Sequence, residues 1–183
     1  EPFPQGGKAG LRIENCSNRS GTDGNSVLVK DFGMVLLDDT GGGYAGAVNP
    51  LHVTYGEGWI FPEVTLTETP CRLFAFSPFA AIPGKELPLS LVPQTDYLAS
   101  GEIRLDWQNR SADIGMEHLL CLLEFTIEGS SACTLSVEDV PTGSTYGLAG
   151  GKLSARDKGT VPSEGYTLLL LPGKAGNNRV VIR

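Results

Sequence analysis

The chain carries only two imidazoles, His52 and His118, and these are the first candidates for proton transfer near neutral pH. Nucleophilic catalysis needs a base held beside a hydroxyl or thiol. His118 stands beside Glu117 at the entrance of an apolar stretch, and no Ser or Cys near it has the context of a nucleophile elbow. It reads as a strand-end histidine whose ring nitrogens bond backbone or water. His52 precedes Val53-Thr54-Tyr55 and reads as an exposed strand residue.

Paired acids occur at Asp38-Asp39 and Glu138-Asp139. Glycoside hydrolysis needs two carboxylates facing each other across a cleft, whereas neighbours in a loop cap turns or face water. Asp38-Asp39-Thr40-Gly41 lacks the alternating oxygen ligands and terminal Glu of a calcium loop. Cys16, Cys71, Cys121 and Cys133 lack the paired short gaps of a zinc site. They allow three disulfide pairings. The reading favours free thiols, with one bridge as the alternative, and Cys121 as a small core side chain. Trp59, Phe61, Phe74, Phe76, Phe79 and Trp107 could form a sugar-stacking platform if exposed and coplanar. Alternation instead puts Phe74 and Phe76 together on one face, toward a core. The expectation is therefore no enzyme, no catalytic or metal-binding residue and no cofactor.

The elements that must position these residues are short. Gly and Pro together make up 36 of 183 residues, which favours turns over long helices. Apolar runs separated by turn residues give candidate strands at 27–29, 33–37, 52–55, 64–67, 71–76, 103–105, 119–128, 134–138, 151–155, 166–171 and 179–182. Turn signals stand at 38–43, 56–58, 83–84, 141–143 and 172–173. In 119–128 the apolar residues Leu119, Cys121, Leu123, Phe125 and Ile127 alternate, predicting one strand with those five facing the core. Its β-branched and aromatic end favours strand over helix. The most helical stretch is 94–100, about one turn. Short strands at even spacing predict an all-β sandwich of antiparallel strands with little helix. Residues 1–26, rich in Gly, Asn and Ser, form an extension whose one strand-like piece is Leu11-Arg12-Ile13; residues 27–183 form a single β-sandwich domain.

A net charge of −7 argues against nucleic acid and anionic membrane surfaces as partners. No window approaches 18 consecutive apolar residues. The first residue is Glu, and the chain reads as a mature or trimmed form whose export signal is missing.

Four segments in order resemble the fimbrillin-like proteins, surface pilus subunits and pilus anchors of Gram-negative gut and oral anaerobes. Val53-Thr54-Tyr55-Gly56-Glu57-Gly58-Trp59 is similar to the family's hairpin. Leu73-Phe74-Ala75-Phe76-Ser77-Pro78-Phe79 is similar to an aromatic strand, with Phe at 74, 76 and 79 where the family has Tyr. Gln94, Thr95, Asp96, Tyr97 and Leu98, followed by His118, resemble the central motif. Gly165 to Pro172 resembles the closing strand. The chain is short for a family whose members usually have two domains, so residues 27–183 could match the N-terminal domain of longer members.

The resemblance implies a transthyretin-like sandwich, a cell-surface or outer-membrane location, and a role as fimbrial subunit, tip or accessory protein, or anchor in adhesion. Assembly would run by strand exchange with other pilus subunits or copies of itself, with a host or bacterial surface receptor as a further partner. Any membrane attachment would be through a lipid anchor outside this chain, as in a lipoprotein. Leu11 and Ile13 at one end, and Val180, Val181 and Ile182 at the other, are the exchangeable segments implied. Arg12 or Arg19 would be the processing site. The alternative is a carbohydrate-binding β-sandwich module of an exported protein.

Overall fold

The computed structural model describes residues 9–18, 31–128, 133–173 and 178–183. Within them lie sixteen strands and no helix. In chain order they are β1 (Ala9–Gly10), β2 (Arg12–Asn18), β3 (Asp31–Leu37), β4 (Leu51–Tyr55), β5 (Trp59–Ile60), β6 (Thr65–Leu66), β7 (Cys71–Ser77) and β8 (Glu86–Ser90). There follow β9 (Leu98–Ser100), β10 (Ile103–Leu105), β11 (Ser111–His118), β12 (Cys121–Glu124), β13 (Leu135–Gly147), β14 (Lys152–Pro162), β15 (Thr167–Leu170) and β16 (Arg179–Ile182).

The larger sheet has eight strands in the order β2-β11-β9-β7-β3-β4-β5, with β10 also on β7. Its centre is buried on both faces, which is why β3 and β7 read as nearly continuous apolar runs. Phe32, Met34 and Leu36 of β3 join Leu73 and Ala75 of β7 in a first core cluster. On the opposite face Val35, Leu37, Phe74 and Phe76 meet Leu87 and Leu89 of β8 in a second. β8 belongs to a four-stranded sheet, β14-β13-β16 with β8 on β13, so the second cluster fills the space between two sheets, as in a sandwich. A third cluster gathers Leu91, Leu120, Val137, Val140, Val161 and Leu168.

The all-β expectation holds, and strands 33–37, 52–55, 71–76, 103–105 and 179–182 fall where the pattern puts them; 27–29 lies outside the described residues. The pairing is mixed rather than wholly antiparallel, because β2 runs parallel to β11.

The predicted 119–128 strand is wrong. β11 ends at His118, the chain bends at Leu119 and Leu120, and β12 starts at Cys121 to pair with β15 outside the large sheet. Leu120 is buried, while Cys121 is exposed and Leu123 is 42% exposed. Changing sheets at the bend resets which residues face inward, just as a one-residue slip would. The helical turn at 94–100 is absent; Leu98–Ser100 is strand β9.

Pro141-Thr142-Gly143 does not turn either. β13 runs through it, paired with β14 on one side, while the Thr142 carbonyl accepts the Leu91 N–H at 2.9 Å on the other. The irregularity lies earlier, between Val137 and Val140, where Asp139 takes φ 62° in a bulge. Among the described residues no helix is long and apolar enough to cross a membrane.

Candidate functional site

Two places concentrate the residues singled out from sequence: a junction around Asp96 and His118, and the sheet edges formed by the terminal strands. At the junction the large sheet meets the small strands. His118 closes β11 and is the register partner of Leu98 in β9. Its Nδ1 lies 2.9 Å from Asp96 Oδ1. Asp96 therefore bonds an imidazole 22 residues away rather than capping local backbone. Leu98 is buried in the first cluster.

The neighbouring residues also hold backbone. The Tyr97 carbonyl accepts the Leu119 N–H at 2.8 Å, and its hydroxyl accepts the Ser90 N–H of β8 at 3.2 Å. The Thr95 N–H is spent locally on the Pro93 carbonyl. The Gln94 amide reaches β15: its Oε1 accepts the Leu169 N–H at 2.5 Å, and its Nε2 donates to Leu91 O at 2.6 Å and to Leu169 O at 3.4 Å. Gln94 to Leu98 with His118 thus join four strands, β8, β9, β11 and β15.

Among the described residues no hydroxyl or thiol joins the Asp96–His118 pair to complete a triad, and no three His, Cys, Asp or Glu side chains converge as metal ligands. His52 is exposed, stacked on Phe79 with ring centroids 3.9 Å apart, and 3.4 Å from Asp31. Asp38 caps its turn as expected, accepting bonds from the Thr40 hydroxyl and from the Thr40 and Gly42 N–H groups. The Thr40 hydroxyl first, and then the Gly42 N–H, hold its carboxyl below the usual range. The aromatics do not make a platform. Phe74 and Phe76 are buried, Trp59 meets Phe32 and Tyr55 edge-on at 70° and 72°, and Trp107 packs against the first cluster.

The terminal strands lie at the edges of different sheets. β2 is the outer strand beside β11 and carries Arg12, whose N–H donates to the Arg110 carbonyl. Leu11 and Ile13 pack partly against the first cluster; Arg19 lies outside the described residues. At the other end, β16 pairs Val180 with Val137, Val181 with Ser136 and Ile182 with Leu135.

Glu138 fastens β16. Its carboxylate takes both the Nε and a terminal nitrogen of Arg179 and lies 3.7 Å from the Arg183 guanidinium. This contact raises the Arg179 pKa further above its ordinary value. Sequence reading noted Glu138 only as half of an acidic pair, and a partner 41 residues away leaves no local signal.

Comparison with solved structures finds the same fold in proteins of several Bacteroides species. One is described as a putative cell adhesion protein from Bacteroides uniformis, with a TM-score of 0.69 at 14% identity over 96% of this chain and 80% of that one. Another, from Bacteroides thetaiotaomicron and described in the same words, gives a TM-score of 0.58 at 10% identity over 95% and 84%. A third, from Bacteroides ovatus, gives 0.53 at 15% identity over 93% and 74%. No protein-family model matches the sequence. No curated protein matches it either.

Proposed function

We propose that this chain is an exported cell-surface adhesion protein that works as a fimbrial subunit, tip or accessory protein, or anchor, joining its neighbours by β-strand exchange. The observation that carries the reading is the unfinished edge at β16. Directly paired residues of an antiparallel ladder project to the same face. Leu135 and Val137 are buried to 3%, yet their partners Ile182 and Val180 stay 58% and 48% exposed. The core-facing side of the small sheet therefore runs out into solvent on an edge strand of four residues. Such an edge can leave its own sheet, or accept another strand, at low cost.

The other terminus supports the same reading. Removal of β2 would bare the outer edge of β11 and uncover Ala112 and Ile114, which are 1% exposed. A neighbour's apolar strand would restore both the ladder and the burial. The adhesion description of the proteins sharing this fold agrees with a surface location. The role is non-enzymatic, with the Asp96–His118 pair holding a junction.

Limited trypsin treatment followed by size-exclusion chromatography tests the proposal. Cleavage after Arg19 removes β1 and β2 together, and the trimmed protein is expected to form concentration-dependent oligomers. A trimmed protein that stays monomeric at high concentration overturns strand exchange. Hydrolase activity lost on His118→Ala would overturn the non-enzymatic role.

A further inference from the structure

A pocket of about 250 Å³ opens at one end of the second core cluster, between the turn after β3 and the loop leading into β8. Val35 and Leu37 give it an apolar lining; Gly41 and Gly43 come from the turn, and Gly84 and Lys85 from the loop. Two cations flank Gly41. A Cβ at that position would lie 3.2 Å from Lys85 Nζ and 3.7 Å from the Arg72 guanidinium.

The two cations are not equivalent. Arg72 is committed through its terminal nitrogens: it donates to the Asp38 carbonyl at 2.9 Å and lies 3.5 Å from the Glu102 carboxylate, while its Nε is buried without a hydrogen-bond partner among the described residues. Lys85 has no carboxylate within ion-pair distance among the described residues. The Asp38 carboxylate accepts from Thr40 and Gly42 through Oδ1 and lies beyond ion-pair distance of Lys85. Lys85 thus stands at the mouth of a small apolar pocket with no ion-pair partner among the described residues.

We propose that this pocket binds a small monocarboxylate with a compact apolar body. The volume excludes drug-sized ligands. One ammonium matches a single negative charge better than the two of a phosphate, and the guanidinium beside Gly41 already has partners. Lys85 meets the carboxylate, and Val35 and Leu37 meet the apolar body.

The test is a titration of the full chain with benzoate, followed by amide NMR, with benzamide as the neutral analogue of the same shape. Saturable shifts are expected at Gly41, Gly43 and Gly84. Benzoate should bind roughly threefold to fivefold more tightly than benzamide, as suits a partly exposed charge contact. Lys85→Gln, at an exposed position, should remove that preference without disturbing the rest of the spectrum, and Lys85→Arg should keep it. Absence of saturable shifts, equal or reversed preference in the wild type, or a preference that survives Lys85→Gln would each overturn the proposal.

Discussion

Gln94 replaces a ladder that the backbone does not make. Its carboxamide offers one acceptor and two donors, and it meets the N–H and C=O of Leu169 as a neighbouring strand would. Gln94→Ala leaves both groups of Leu169 without that partner. The expected cost is about 1–3 kcal/mol in urea denaturation, against under about 0.5 kcal/mol for Val92→Ala on the same exposed turn. Equal effects would mean that the amide is dispensable. The thiols give a second contrast at this scale. Burial, then the charges of Asp106 and Asp39, push the Cys71 pKa up to about 11. A raised thiol pKa keeps the protonated, unreactive form across neutral pH. Iodoacetamide at pH 8 is therefore expected to label exposed Cys121 and spare Cys71, with mapping of the modified peptides as the readout. Labelling of native Cys71 at a comparable rate would contradict the burial.

Between strands, Gly33 and Phe76 form one unit. They are register partners on β3 and β7, and a Cβ built on Gly33 would sit 2.2 Å from Phe76 Cζ. The ring lies over the glycine and fills the space a side chain would take. Gly33→Ala must displace that ring from the second cluster, with an expected loss of about 1–3 kcal/mol. Phe76→Leu loses packing but frees the space, so the double variant should cost less than the sum of the two singles. Strict additivity in denaturation of the four proteins would refute the contact. How far such elements could be read from sequence depended on how many faces each buries. β3 and β7 are apolar on both faces and announce themselves. β11 alternates cleanly, with Ala112, Ile114 and Met116 buried, but Asp113 and Gly115 between them keep it from standing out as an apolar run. β8 carries its own alternation, Leu87 and Leu89, but Pro88 between them is a residue that strands rarely hold; among the described residues it pairs with β13 alone. The Leu119–Leu120 bend was not legible, because the change of sheet rests on the partners of β12 rather than on its own residues. At the junction, the sequence resemblance marked Gln94, Asp96 and His118, but their partners are set by contacts 75 and 22 residues apart.

At the scale of the molecule, the two outer strands of the small sheet differ in how they meet solvent. β14 carries Lys152, Arg156, Asp157 and Lys158, and Asp157 takes φ 53°, so charge and a local twist both discourage pairing with another chain. β16 begins at Arg179 and is followed by Arg183, and between these charges it presents Val180 and Ile182 half-exposed. Among the described residues one edge is guarded and the other is open. Assembly is therefore expected to depend on β16 and not on β14. Val180→Asp and Ile182→Asp put a carboxylate on the apolar face of β16, where the side chains are already half in water. Each should cost the monomer no more than about 1 kcal/mol, in keeping with substitutions away from the packed core. In an exchanged strand the same carboxylate would be buried without a partner, which is far more costly. Trypsin-trimmed Val180→Asp and Ile182→Asp proteins should stay monomeric in analytical ultracentrifugation at concentrations where the trimmed wild type associates. Ser154→Asp, on exposed β14, should associate like the wild type. Undiminished association of the β16 variants would remove β16 from the mechanism, and equal loss in the β14 variant would show that added negative charge, rather than the open edge, governs assembly.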